Sequence, residues 1–109
     1  MINITSAKHF TEQVLDYDGI SVVDFWGVWC APCKTMREHL TALSSDKGMA
    51  GVRFCDINIA DIPTLSVEYG IITLPTLIFF NHGRPCGQVT GLVTRQDILK
   101  RINAIKERK

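Results

Sequence analysis

The sequence predicts an α/β fold in which a β-sheet is covered by helices, and three observations carry that expectation. Short β-branched and aromatic runs alternate with segments of helical apolar spacing, and Gly or Pro punctuates the boundaries. No internal repeat, low-complexity tract or linker interrupts the alternation. The length of 109 residues suits a single domain spanning 1–109, and a composition of 46% hydrophobic and 21% charged residues is that of a globular chain able to bury a core.

Ser6 can cap a first helix whose apolar positions Phe10, Val14 and Leu15 recur at helical spacing, closed by Asp18-Gly19. Ile20 to Trp26 then reads as a buried central strand in which Asp24 is the only ionisable residue. After Gly27 the period becomes helical, with Met36, Leu40 and Leu43 at i, i+4 and i+7, until Lys47-Gly48. Val52 to Ile59 looks like the next strand, and Asp61 to Tyr69 a short helix stopped by Gly70. Pro75 precedes a strand over Thr76 to Phe80, and Asn81 to Pro85 forms a hairpin turn into Cys86 to Thr90. Thr94 with Asp97 resembles a capping box, opening a helix that packs Ile98, Leu99, Ile102 and Ile105 on the sheet. The order is βαβαβαββα.

Charge and hydropathy exclude several classes of function. Twelve Lys and Arg against eleven Asp and Glu give a net charge of +1, without the basic footprint of a nucleic-acid or anionic-membrane binder. The basic end, Lys100 to Lys109, reads as a solvated helix face. The longest apolar candidate, Leu74 to Phe80, is far shorter than the roughly 18 residues of a spanning helix. Met1 to Thr5 has neither a basic start nor an apolar stretch fit for a secretory signal, so a cytoplasmic protein is expected. Four cysteines, unevenly placed, do not make a secreted disulfide framework.

Trp29-Cys30-Ala31-Pro32-Cys33-Lys34 sits where a buried strand gives way to a helix. Cys30 therefore falls at the helix N-terminus, where unpaired N–H groups and the macrodipole favour a thiolate able to attack at neutral pH. Cys33, one turn further in, is expected to be more buried and protonated, placed to resolve a mixed disulfide formed on Cys30. Pro32 near the helix start restricts the backbone without losing a needed hydrogen bond.

The run Val23-Asp24-Phe25-Trp26-Gly27-Val28-Trp29-Cys30-Ala31-Pro32-Cys33-Lys34 resembles the active-site segment of thioredoxins. The likeness continues in Tyr69-Gly70-Ile71, Leu74-Pro75-Thr76-Leu77, Gly83 and Gly91, and so covers nearly the whole chain. It implies the thioredoxin fold, a central mixed β-sheet of four to five strands flanked by about four helices. It implies a cis Leu74-Pro75 bond lying against the dithiol, in keeping with the confinement of cis peptides to proline. Trp29, Ile59, Thr73, Leu74, Pro75, Thr90 and Gly91 would form the apolar rim on which an extended substrate segment docks. The implied activity is protein-disulfide reduction by an electron carrier. Its partners would be a thioredoxin reductase or related donor and disulfide-containing proteins, with no nucleic acid, membrane or metal involved, and a monomer is expected. No cofactor is implied beyond the Cys30-Cys33 disulfide.

Asp24 is then a buried carboxylate beneath a dithiol, able to exchange a proton with Cys33. Its alternative is a purely structural carboxylate satisfied by backbone and ordered water. Two departures bear on tuning. Asp56 stands where many thioredoxins place a Lys, and if it points inward, like charges raise the pair's apparent pKa. Glu38 stands where many have a kinking Pro, which predicts a straighter helix. Ala31 replaces the commoner Gly. With no charge between the cysteines, nothing in the loop adds the strong thiolate stabilisation of a disulfide-forming oxidant, which favours a reductase over an oxidant or isomerase.

Competing readings are a zinc site on Cys30, Cys33, Cys55 and Cys86, and a redox-silent binding module using the same rim. Zinc is disfavoured because Cys55 and Cys86 form no second close pair. Cys55 reads as a small buried hydrophobe and Cys86 as a surface thiol. His9, His39 and His82 read as ordinary surface positions.

Overall fold

The computed structural model describes residues 1–108; Lys109, the last residue of the basic end, lies outside the described residues. Five strands form one sheet in the order β1-β3-β2-β4-β5. β1 (Ile2–Asn3), β3 (Arg53–Asn58) and β2 (Ile20–Trp26) run parallel, while β4 (Thr76–Asn81) and β5 (Arg84–Thr90) are antiparallel additions, so the sheet is mixed. The helices are α1 (Ala7–Phe10), α2 (Ala31–Ser44), α3 (Pro63–Glu68) and α4 (Arg95–Lys106).

β2 occupies the centre because six of its seven residues are buried, and five of those, all but Asp24, are apolar or small groups able to face a helix layer on either side. Its alternation divides the core. Val22 joins Met36, Leu40, Leu77, Phe79, Ile98 and Ile102 beneath α2 and α4. Val23 and Phe25 join Phe10, Val14, Cys55, Ile57, Leu65 and Phe80 on the opposite face. There Phe10, Tyr69 and Phe80 meet edge to face, with centroids 5.7–5.8 Å apart. Asp24 and Asp56 follow Val22 and Phe54 by two positions and so point to the α2 face.

The capping signals act as expected. Ser6 Oγ accepts from the His9 N–H at 3.0 Å and Thr94 Oγ1 from the Asp97 N–H at 3.1 Å. Several boundaries differ from the sequence expectation; α3, for one, starts at Pro63 rather than Asp61. The first helix loosens after Phe10 into a π-helical turn over Thr11–Leu15, closed by the Asp16 N–H donating to the Thr11 carbonyl. That extra residue per turn swings Leu15 to the surface. α2 ends at Ser44, and Lys47–Met49 forms a separate 3₁₀ turn capped by Asp46. β5 starts at Arg84, two residues before the expected position, because Pro85 lies on an edge strand where its missing N–H costs nothing. Cys86 is the extra residue of a β-bulge, since Phe79 pairs with Gly87 and Phe80 with Pro85. Glu38 is exposed on an uninterrupted α2.

The β4–β5 turn places His82 and Gly83 at φ of 53° and 76°, the positive angles of a two-residue hairpin loop. A Cβ on Gly83 would lie 2.1 Å from the Leu15 carbonyl oxygen. Gly83→Ala is therefore expected to destabilise the protein by roughly 2 kcal/mol or more, read as a lowered urea midpoint with unchanged m-value.

Candidate active site

β2 delivers the chain to the site and α2 receives it. Cys30 occupies the N-cap of α2 with extended backbone at φ −100° and ψ 103°, and its N–H donates to the Gly27 carbonyl at 3.2 Å. Ala31 and Pro32 open the helix, and no acidic residue lies in its first turn to oppose a thiolate. Cys33 follows on the inward face. The two cysteines are joined as a disulfide with Cα atoms 5.4 Å apart. They differ in exposure: Cys30 is half-buried, whereas Cys33 is 3% exposed.

Cys30 lines two hollows. One, of about 390 Å³, is walled by Trp29, Ala31, Pro32, Ile59, Ile71, Ile72 and Leu74. The other, of about 270 Å³, lies between Trp26, Gly27, Val28, Cys33, Lys34 and Arg37. Gly27 permits the first, because a Cβ there would stand 3.0 Å from the Trp29 ring and 3.1 Å from Leu74 Cδ1.

Of the rim residues expected from sequence, Trp29, Ile59 and Leu74 share the larger hollow with Cys30. Ile71 and Ile72 also line it. Ile72 is 93% exposed, and that exposure of a large aliphatic group is a signal invisible to periodicity. The Leu74-Pro75 bond is cis and Pro75 is buried. The Pro75 carbonyl accepts from the Gly91 N–H at 2.7 Å and Thr90 pairs with Thr76, which holds Thr90 and Gly91 at the same end of the sheet. Thr73 is exposed, and its carbonyl accepts from the Thr76 hydroxyl. Thr73, Pro75, Thr90 and Gly91 do not line that hollow.

Asp24 is fully buried and neither carboxyl oxygen has a hydrogen-bond partner among the described residues. Burial foremost, and the neighbouring Asp56 carboxylate next, push its pKa up to about 7, against the pull of the Arg37 guanidinium. Asp56 does point inward, as the sequence left open. It is satisfied, however, by Arg37 at 2.8 Å, with Asn3 and Trp26 as further donors. Sequence reasoning missed Arg37; the only signal was a cation one turn beyond Cys33 on a helix that covers two acids.

The other cysteines stand apart. Cys55 is buried on the face of the sheet opposite α2, and its thiol is pushed up to about 12, chiefly by burial. Cys86 is half-buried rather than superficial; it packs near Phe79, and its thiol donates to the Phe79 carbonyl at 3.4 Å. No group of three or more His, Cys, Asp or Glu that could hold a metal occurs among the described residues. Of the histidines, His82 is exposed on the hairpin and meets Asp18. His9 and His39 are half-buried, His39 lying 3.0 Å from the Val93 carbonyl.

A family model described as Thioredoxin matches residues 1–104. The chain belongs to the thioredoxin family. It is 34% identical to a thioredoxin of Rickettsia felis over 104 residues, covering 94% of this chain and 97% of that one. It is 31% identical to a thioredoxin of Chlamydia caviae over 103 residues, with the same coverage. Among solved structures it superposes on mitochondrial thioredoxin 3 of Saccharomyces cerevisiae, oxidised form, with a TM-score of 0.83 and 27% identity, covering 95% of this chain and 94% of that one. For the thioredoxin of Malassezia sympodialis the TM-score is 0.85 at 28% identity, with 95% and 90% covered.

Family, fold and paired cysteines together make the activity thioredoxin-type dithiol–disulfide exchange, that of a protein-disulfide oxidoreductase. Thioredoxins as a family exchange electrons with a reductase and with disulfide-bearing proteins, and use no cofactor beyond the redox-active disulfide. No helix among the described residues is long and apolar enough to cross a membrane.

Proposed function

We propose that the protein works as a disulfide reductase in which Cys30 is the attacking thiol, Cys33 the resolving thiol and Asp24 the proton acceptor. The observation that carries this reading is the asymmetry of the pair: Cys30 at a helix N-terminus opening onto an apolar hollow, Cys33 turned inward at 3% exposure. The Cys30 thiolate attacks one sulfur of a substrate disulfide, forming a Cys30–substrate disulfide and releasing the other sulfur as thiolate. Cys33 then gives its proton to Asp24 and attacks the Cys30 sulfur, forming the Cys30–Cys33 disulfide and releasing the second substrate thiolate. Met36 and Leu40 share a core with Val22, and the burial of Cys33 one turn nearer the start of α2 supports the reading that it exchanges its proton with Asp24.

Trp29, Ile59 and Leu74 give an extended substrate segment apolar contact beside Cys30, and Thr73, Pro75, Thr90 and Gly91 extend the docking rim. Ala31, Pro32 and Asp56 tune the couple. The chain acts as one domain over residues 1–109 and as a cytoplasmic monomer, with no cofactor beyond its disulfide and no nucleic-acid or membrane partner. A thioredoxin reductase or related donor regenerates the dithiol.

Reduction of insulin by excess dithiol tests the reading. Wild type is expected to accelerate the reaction, and Cys30→Ser to return it to the rate of dithiol alone. Full acceleration by Cys30→Ser would exclude Cys30 as the attacking thiol.

A further inference from the structure

Arg37 takes no part in the exchange of sulfur atoms, yet it stands where the two buried acids meet solvent. Asp24 and Asp56 are register partners on β2 and β3, so their side chains leave adjacent strands on one face. Three donors converge on a single oxygen of Asp56, Oδ1: Asn3 Nδ2 at 2.7 Å, Arg37 Nη2 at 2.8 Å and Trp26 Nε1 at 3.0 Å. The Arg37 guanidinium is itself fixed, lying 4.4 Å from the centroid of the Trp26 ring beneath it. Its side chain is 42% exposed and that of Asp56 only 5%, so the pair spans the boundary between core and water. An open groove of about 620 Å³ runs along Asn3, Trp26, Arg37 and Asp56.

The charges facing Asp24 are few. β3 contributes Asp56, and α2 contributes Arg37, with Cys33 titratable once reduced. β4 sets Leu77 in register with Asp24, and α4 covers that face with Ile98, Ile102 and Ile105. In so apolar a setting the buried Asp56 charge acts with little screening, and the part-exposed Arg37 charge with more. The Asp56 anion disfavours a second anion at Asp24, and Arg37 offsets it.

We propose that Arg37 is a positioning residue for the proton step: by holding Asp56 as a fixed anion beside Asp24, the Arg37–Asp56 pair sets how tightly Asp24 keeps the proton taken from Cys33. The inference rests on the proton-acceptor role proposed for Asp24. When Cys33 attacks the Cys30–substrate disulfide its proton passes to Asp24, and it must leave Asp24 for water before the next cycle. Asp24 therefore has to sit between holding and releasing that proton at working pH.

The test reads the Asp24 carboxyl by NMR titration in the intact oxidised protein, together with the pH dependence of insulin reduction. Arg37→Met is expected to raise the Asp24 midpoint by up to about one pH unit and Asp56→Asn to lower it by at least as much. The double variant falls between the two, and Arg37→Lys stays nearer wild type. The pH-rate limb is expected to move in the same direction in each case. A merely structural ion pair would lower the denaturation midpoint and leave the Asp24 titration where it was, and that result would overturn the proposal. Shifted titrations with an unmoved rate limb would overturn the positioning role as well. If Arg37→Met does not fold, Asp56→Asn and Arg37→Gln decide the matter by the same two readouts. Asp24→Asn separates the two levels: if it leaves the wild-type pH profile intact, the acceptor role of Asp24 fails, whereas a flattened profile alongside unmoved Arg37 and Asp56 variants removes only the present inference.

Discussion

Asp24→Asn is expected to make the protein more stable at neutral and alkaline pH, by about 4 kcal/mol at pH 8, and to leave stability nearly unchanged near pH 3. An aspartate ordinarily titrates at 3.8, whereas burial and Asp56 push the folded-state value of Asp24 up to about 7. Between those values the folded chain holds a proton that the unfolded chain has lost, so wild-type stability falls as pH rises through this window. Each pH unit is worth about 1.4 kcal/mol, and the window is about three units wide. Below pH 3.8 both states are protonated and the carboxyl behaves much like the amide that replaces it. Urea denaturation of both proteins from pH 3 to pH 8 checks this: the wild-type curve should slope downward with pH and the Asn curve should stay flatter. Parallel curves would mean that Asp24 is not held neutral by its surroundings. The same variant is expected to slow resolution, because the acceptor for the Cys33 proton is gone.

Cys33→Ser carries the second large effect. Without the resolving thiol, attack by Cys30 has no intramolecular escape, and a covalent adduct with a disulfide-bearing protein should accumulate to about one per chain. Turnover of insulin should fall to the background of dithiol alone. Peptide mapping should place the adduct on Cys30 alone, because Cys55 is buried with its thiol pushed up to about 12 and Cys86 is half-buried in a β-bulge. An adduct on Cys55 or Cys86 would contradict this division of labour.

Most of the frame of this site was legible in the sequence, because it depends on local signals. Ile20 to Trp26 is apolar throughout except for Ser21 and Asp24 and is rich in β-branched and aromatic residues, which reads as a buried strand, and Ser6 and Thr94 mark their helix starts by chemistry that acts over three residues. The placement of Cys30 before Ala31-Pro32 likewise follows from the break between strand and helix. What remained hidden depends on contacts distant in sequence or on departures from regular period. The π-helical turn that exposes Leu15 has no periodic signature of its own. The bulge at Cys86 arises from the pairing of β5 with Phe79 and Phe80 across the hairpin. Whether Asp56 faced inward hinged on strand register, and its satisfaction by Arg37 and Asn3 unites residues 19 and 53 positions away. Ile71 and Ile72 reach the hollow beside Cys30 because the loop before Pro75 returns to the start of α2.

The redox potential of the Cys30–Cys33 couple, measured by equilibration against a glutathione or dithiol buffer, tests the central claim that this is a reducing dithiol. No charge lies between the two cysteines, so the dithiol gains no local stabilisation of the kind that makes an oxidant. The account predicts a value of about −270 mV, the reference value for thioredoxins. A value near about −120 mV, that of a disulfide-forming oxidant, would contradict it.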